Sequence, residues 1–251
     1  MKQPEPRSFE PLTKQSFSRF CALLYERHLV TGVGGNVSAR FGSGFLVTPS
    51  GMSLRAVSPE SVLLVKSGGR VRTDLKPSKE FAMHLGIFGN RPDVKVVCHV
   101  HDPSVIASSN LVKPGPNSLP ALTPGFAFFA YPLPLLPFFV PGTAELAEAV
   151  RRQFLNHKLR ALALQNHGLI TVGETLSEAL NISEEVHENA MVYLLTRGRG
   201  SRPDNRDGGP DGRPFIRSLK GRPGRGGNKF FADIRPGSRP EAAEVDQRSS
   251  T

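Results

Sequence analysis

Residues 76–102 read KPSKEFAMHLGIFGNRPDVKVVCHVHD, and this stretch decides the architecture of the chain. It begins as a helical pattern, crosses a turn at Asn90–Asp93 and ends on the apolar strand Val94–Val100. Alternate residues of a strand point to the same side of the sheet. His99 and His101 are therefore predicted to project together from one face.

Two histidines on one strand face supply half of a metal site. The third candidate is His167, which follows the apolar run Ala161–Leu164, and Glu80 is the candidate carboxylate. The residues predict a mononuclear divalent-metal centre with three histidines, an open coordination position and an acid/base glutamate. Zinc suits three imidazoles best, while manganese and cobalt are compatible with the same ligands.

A purely structural interpretation of these residues stays open from the sequence alone. A pair of core histidines can be satisfied by ordinary hydrogen bonds. Glu80 can be a carboxylate in the first turn of a helix, where the helix dipole favours negative charge, with Ser78 as the N-cap. The other histidines are interpreted as structural or surface residues: His28, His84, His157 and His187.

The net charge of +10 does not indicate a nucleic-acid-binding domain, because much of it lies in a tail. From Arg197 onward there are 13 basic and 7 acidic residues, which leaves 19 and 15 in residues 1–196. The tail, residues 198–251, is rich in Gly, Arg and Pro and is predicted to be disordered. RNA binding by its Arg-Gly pairs is a further hypothesis, which its aspartates weaken.

The predicted location is the cytoplasm. No basic-then-apolar leader opens the sequence, and prolines interrupt the apolar segment Ala121–Val140. Cys21 and Cys98 form no metal or redox motif and are interpreted as buried thiols in a reducing compartment. Cys98 is predicted to face away from the two strand histidines.

Strand and helix patterns alternate along residues 14–197, which predicts an α/β or α+β domain after a loose leader, residues 1–13. An amphipathic helix is predicted over Lys14–Val30, with His28 on its apolar stripe. Leu133–Val140 is predicted as a strand, and the last long helix is predicted from Ser177 to Thr196.

The chain resembles the class II aldolase/adducin family, which contains fuculose-phosphate aldolase and ribulose-phosphate 4-epimerase. The resemblance covers about residues 14 to 197, and the Lys-Pro-Ser-Lys-Glu segment at residue 76 also resembles related 3-oxo-tetronate 4-phosphate decarboxylases. It rests on five motifs in order: Gly35-Asn36-Val37-Ser38, Thr48-Pro49-Ser50-Gly51, Pro77-Ser78-Lys79-Glu80, His99-Val100-His101 and Asn166-His167-Gly168-Leu169.

The resemblance implies a three-layer sandwich, in which helices flank a central mixed β-sheet, and a homotetramer with sites between subunits. It implies a metal held by His99, His101 and His167, with Glu80 as ligand and catalytic acid/base. The implied pocket for the substrate phosphate consists of Asn36, Ser50, Gly51, Ser78 and Lys79. Lys79 stands where aldolases of the family often have serine.

The resemblance also implies the reaction: cleavage of a carbon–carbon bond in a small phosphorylated sugar or sugar acid through an enediolate. Decarboxylation of a 3-oxo-tetronate 4-phosphate is the nearest variant, and a sugar-phosphate 4-epimerase and a non-catalytic adducin-like interaction domain are the alternatives. This sequence departs from the family in one segment, where many relatives carry a tyrosine that acts as an acid. Here Gly125 and Phe126 occupy that segment, and Tyr131 follows.

Overall fold

Seven strands of the described residues form one mixed sheet. The computed structural model describes residues 11–66 and 74–197 of the 251-residue chain. The spatial order of the strands is β3-β2-β1-β4-β7-β6-β5, and every neighbouring pair is antiparallel except β5 with β6. The strands are β1 Asn36–Phe41, β2 Gly44–Val47, β3 Leu63–Lys66, β4 Val96–Val100, β5 Leu135–Leu136, β6 Ala161–Leu164 and β7 Gly168–Gly173.

Helices cover both faces of the sheet. Helices α2 and α5 pack on one face, and the other face is covered by α1, α3, α4 and α6. The helices are α1 Lys14–Glu26, α2 Phe81–Asn90, α3 Pro103–Ser109, α4 Pro124–Phe129, α5 Ala144–Gln153 and α6 Leu176–Thr196, with a short 3₁₀ turn at Leu54–Ala56. The predicted three-layer α/β sandwich is confirmed.

The central strand β4 separates two hydrophobic cores by simple alternation. Val96, Cys98 and Val100 belong to the core under α1, α3 and α6, whereas Val97 belongs to the core under α2 and α5. All five residues of β4 are buried. Since His99 shares its side with Val97, it faces the α2 and α5 layer, and Cys98 faces away from it as predicted.

The first helix is shorter than predicted. It ends at Glu26, and His28 adopts a left-handed backbone conformation (φ 58°) that no α-helix can contain. His28 is therefore exposed rather than part of the apolar stripe, which consists of Phe17, Phe20, Cys21 and Leu24. The hydrophobic pattern continues through Leu29 and Val30 because the chain after the turn returns to the same core.

The proline-rich segment between α3 and α5 also differs from the prediction. Only Leu135–Leu136 of the predicted strand Leu133–Val140 pairs with a neighbour, because Pro134 and Pro137 carry no N–H to donate. The helix α4 was not predicted. Thr123 caps it by accepting a hydrogen bond from Phe126 N, and Pro124 occupies its first turn, where proline is tolerated.

The predicted leader and tail are largely outside the described residues, which begin at residue 11 and end at residue 197. Residues 67–73 also lie outside them. Among the described helices, none combines the length and the apolar character that a transmembrane span requires.

Arg91 is fully buried and connects the end of α2 to the segment that precedes β6. Its guanidinium bonds Asp93 at 2.6–3.1 Å and donates to the carbonyls of Leu159 (3.0 Å) and Asn156 (3.3 Å). Buried carbonyls that lose a charged donor are costly to leave unpaired. Arg91 is thus the main polar link between the α2–β4 turn and the α5–β6 turn.

We expect Arg91→Met to lower the free energy of unfolding by about 3 kcal/mol, because one buried carbonyl, one partly buried carbonyl and one carboxylate lose a charged donor. Urea unfolding in the presence of a metal chelator measures this effect on the metal-free protein. The matched control is Arg152→Met, which removes an exposed arginine paired with Glu148. Equal unfolding midpoints for the two variants would contradict the assigned role of Arg91.

Candidate metal centre

His99 and His101 leave the sheet together at the end of β4. His99 is fully buried, and its Nδ1 lies 3.0 Å from the carbonyl of Leu169 on the neighbouring strand β7. Since a carbonyl can only accept, Nδ1 carries the proton and Nε2 carries a lone pair. His101 Nε2 lies 3.1 Å from His99 Nε2, so the two rings point their Nε2 atoms toward the same place.

His167 reaches the same point from the turn between β6 and β7. The preceding Asn166 has a left-handed backbone (φ 56°), which reverses the chain tightly, and its N–H donates to Ser109 Oγ at 3.1 Å. His167 Nε2 then lies 3.3 Å from His99 Nε2. The Nδ1 atom of His167 is buried without a hydrogen-bond partner.

Three glycines allow backbone segments to pack directly against this end of β4. A Cβ at Gly34 would stand 2.7 Å from His101 Nδ1, and a Cβ at Gly35 would stand 2.8 Å from the His99 carbonyl oxygen. A Cβ at Gly168 would overlap the Val100 carbonyl. The positions of the histidine rings thus depend on the absence of side chains at 34, 35 and 168.

Glu80 completes the cluster from the start of α2. Its Oε1 lies 3.1 Å from His167 Nε2 and its Oε2 lies 3.3 Å from His99 Nε2. Asn36 Nδ2 donates to Oε2 at 2.9 Å and fixes the carboxylate. Burial by itself raises the pKa of Glu80, but the adjacent imidazoles of His167 and His99 outweigh it and hold that pKa well below its usual range.

Ser78 is not the N-cap of α2, contrary to the prediction. The N-cap position is Glu80, and Ser78 Oγ instead accepts a hydrogen bond of 3.3 Å from Glu80 N. The helix starts later than its sequence pattern indicates, because the bridge between Pro49 and Pro77 holds the preceding segment extended. Glu80 therefore stands at the helix end with its carboxylate directed at the histidines.

The donor set fits a single divalent cation. Glu80, His99, His101 and His167 form the one such group in the described part of the chain, and their ligand atoms all lie within 4.8 Å of one another. Ligands about 2.0–2.1 Å from a tetrahedral zinc ion are about 3.3–3.4 Å apart. The distances of 3.1 and 3.3 Å between Nε2 atoms are close to that value. Burial, with His99 and His167 nearby, lowers the pKa of His101 to about 4, so its imidazole is neutral at pH 7.

Unpaired atoms in the cluster point to the same conclusion. Although Glu80 Oε1 lies 3.1 Å from His167 Nε2, it accepts no hydrogen bond of regular geometry, and it is buried. Converging nitrogen lone pairs and a carboxylate oxygen repel one another unless protons or a cation lie between them. A metal ion bound by these four side chains would satisfy them together.

The residues predicted for phosphate binding fall into two places. The Ser50-Gly51 turn and the Ser78-Lys79 segment form one rim, because Ser50 N donates to the Lys76 carbonyl at 2.8 Å. Ser50, Gly51 and Lys79 are exposed there. Asn36 is instead buried and directs its amide N–H to Glu80. A phosphate-binding role of these residues stays a prediction.

His84, interpreted from the sequence as a structural or surface residue, is a buried neighbour of the cluster. It lies one helical turn after Glu80, and its Nδ1 is 2.6 Å from Ser38 Oγ. Burial lowers its pKa to about 3, so the ring is neutral, and its Nε2 has no partner. The spacing of four residues between Glu80 and His84 is the sequence signal for a shared helix face.

The segment in which the resemblance implies a tyrosine has none at Gly125 or Phe126. Gly125 is the second residue of α4, and a Cβ at this position would overlap the carboxylate of Glu185 on α6. The hydroxyl of Tyr131 accepts a hydrogen bond of 2.7 Å from Asn117 Nδ2. Glu185, whose pKa is raised by burial and by Glu188 and Glu184, thus occupies the space next to residue 125.

We expect Gly34→Ala to weaken zinc binding about tenfold, because the added Cβ must displace the His101 ring from its position in the cluster. Competition with a chromophoric chelator gives the dissociation constant. Gly89→Ala is the matched control, since a Cβ at Gly89 meets nothing within 4 Å. Equal zinc affinity of the two variants would show that the His101 ring does not depend on Gly34.

Comparison with known proteins finds relatives with two different named activities. A 3-oxo-tetronate 4-phosphate decarboxylase of Haemophilus influenzae is 32% identical over 177 residues, which cover 70% of this chain and 83% of the relative. An L-fuculose phosphate aldolase of Methanococcus maripaludis is 33% identical over 179 residues, covering 71% and 94%.

The fold comparison agrees with the sequence comparison. The crystal structure of YgbL from Klebsiella pneumoniae has a TM-score of 0.70 at 28% identity, and the similarity covers 76% of this chain and 94% of YgbL. Residues 15–194 match the family model for the class II aldolase and adducin N-terminal domain. The chain therefore belongs to the class II aldolase/adducin family.

Proposed function

We propose that this protein is a divalent-metal-dependent carbon–carbon lyase of the class II aldolase type. Its substrate is a small phosphorylated sugar or sugar acid, which it cleaves through an enediolate. The observation that carries the proposal is the convergence of three imidazole Nε2 atoms and the Glu80 carboxylate within 4.8 Å. A protein that uses this fold only for interaction has no need of such a cluster, which disfavours the adducin-like alternative.

In this proposal His99, His101 and His167 hold the cation, and Glu80 is a fourth ligand that can exchange for substrate. Zinc is the proposed metal, with manganese or cobalt as substitutes. The bound cation would act as a Lewis acid, polarising a substrate carbonyl and stabilising the negative charge that develops on oxygen. The hydrogen bond from His99 Nδ1 to Leu169 fixes the orientation of that ligand.

Glu80 is the proposed acid/base group. Its carboxyl is ionised at pH 7, which is the form that can accept a proton from the substrate and return it later. Asn36 holds one carboxylate oxygen at 2.9 Å and leaves the other to face the histidines. A carboxylate bound in this way needs little reorganisation during proton transfer.

The rim formed by Ser50, Gly51, Ser78 and Lys79 is the proposed anchor for the substrate phosphate. Ser78 Oγ accepts from Glu80 N, so its own O–H is free to donate to an anion. Lys79 is exposed and directly precedes Glu80. Asn36, which the resemblance also assigns to this pocket, would contribute through its second amide N–H.

Decarboxylation of a 3-oxo-tetronate 4-phosphate is the second candidate reaction. Lys79 favours it, since a lysine next to the acid/base residue can bind the carboxylate of a sugar acid. The Haemophilus influenzae relative is named as a 3-oxo-tetronate 4-phosphate decarboxylase. A sugar-phosphate 4-epimerase is a further alternative. That reaction requires additional proton transfers, and no residue is assigned to them.

We also propose that the protein is a cytoplasmic homotetramer.

We expect elemental analysis to find about one divalent ion per wild-type chain after reconstitution with zinc, since the four side chains enclose one ion. The double variant His99→Ala/His101→Ala should retain less than a tenth of that metal. A properly folded wild type that takes up no metal would refute the lyase mechanism.

We expect Glu80→Gln to reduce turnover at least 100-fold, because the amide cannot accept the proton, while three histidines still retain metal. Activity is measured on L-fuculose 1-phosphate, by release of an aldehyde, and on 3-oxo-tetronate 4-phosphates, by release of carbon dioxide. The control is Glu148→Gln, an exposed glutamate on α5. Unchanged turnover in Glu80→Gln would remove Glu80 from the acid/base role.

A further inference from the structure

Asp102 is the residue immediately after the proposed metal ligand His101, and it is fully buried. Its Oδ1 accepts hydrogen bonds from Ser104 N (2.8 Å) and Val105 N (3.1 Å), which caps α3. Both donors lie within three residues of Asp102, so these bonds stabilise the turn locally. They do not connect the turn to any other part of the molecule.

The second carboxylate oxygen of Asp102 makes the long-range contact. Its Oδ2 lies 2.8 Å from Nδ1 of His187 on α6, 85 residues later in the sequence. Since a carboxylate accepts, His187 Nδ1 donates in this bond; Ser104 Oγ is 3.4 Å from the same nitrogen. The imidazole is 27% exposed while the carboxylate is fully buried.

Helix α6 is a firm anchor for this bond. It packs against α3, β7 and β4 and contributes Ala179, Ile182, Val186 and Ala190 to the core. The His187–Asp102 bond therefore links the end of β4, where the His101 ring projects, to the longest helix of the domain. Asp102 and His187 lie on the opposite side of the sheet from α2, so neither is a candidate ligand or acid in the cluster.

We propose that His187 is a positioning residue for the metal centre. By holding Asp102 it fixes the backbone at the end of β4 and thereby the direction of the His101 ring. This proposal rests on the proposed metal-dependent function. Metal ligands must be held within about 0.5 Å of their productive positions, and a turn capped only by its own residues can rotate as a unit.

The test compares His187→Leu with His187→Asn in the full-length protein. Leucine removes the donor, whereas the amide of asparagine places a donor close to the position of Nδ1. We expect His187→Leu to weaken zinc binding about tenfold and His187→Asn to stay within about twofold of wild type. The visible absorption of the cobalt-substituted protein should change in His187→Leu, because it reports ligand geometry.

The control is Glu184→Gln, which removes a different polar tie of α6, the ion pair with Arg27. Its zinc affinity and cobalt spectrum should equal those of wild type. Thermal unfolding of the metal-free variants separates a loss of stability from a loss of metal affinity. If His187→Leu does not fold, His187→Gln carries the test, because its longer side chain carries the amide past Asp102.

The outcomes distinguish this proposal from the proposed function. A wild type that binds no metal refutes the lyase assignment. A wild type that binds zinc with the same affinity and the same cobalt spectrum as His187→Leu, or as His187→Gln where that variant is used, overturns the positioning role alone. Weaker binding in His187→Asn as well would also overturn it, since the restored donor then has no effect.

Discussion

The antiparallel pairing of β4 with β1 and β7 is the constraint on which the rest of the molecule depends. This pairing sets Asn36 opposite His99 on one side and Ile170 opposite His99 on the other. The same register brings the β6–β7 turn, with His167, to the end of the strand. Shifting β4 by one residue would turn both histidines to the opposite core. The cluster therefore exists only in one register of the sheet.

The sequence could predict the parts of the site that depend on local geometry. Strand alternation alone placed His99 and His101 on one face and Cys98 on the other. The approach of Glu80 and His167 depends on which strands pair and where α2 begins, and no local pattern contains that information. Both residues were candidates by residue type and by their places in the sequence pattern, and the resemblance to a family supported their inclusion.

The predictions that were wrong share a physical cause. Helix α1 and the strand after Leu133 were extended along apolar residues that are buried without continuing the element. Hydrophobicity reports burial, whereas the end of an element depends on one backbone angle or one missing N–H, as at His28 and Pro137. Ser78 shows the same limit, because a bridge between two prolines decides where its helix starts.

The glycines that pack against β4 have a consequence for anyone who wants to change what this protein acts on. Positions 34, 35 and 168 tolerate no side chain without moving the ligands or the strand that carries them. The rim at Ser50 and Lys79 is exposed and has space around it. Under the proposed function, changes of substrate range belong at the rim, because positions 34, 35 and 168 have no room for a side chain. A library directed at the rim would then vary the proposed phosphate-binding residues without displacing the proposed metal ligands.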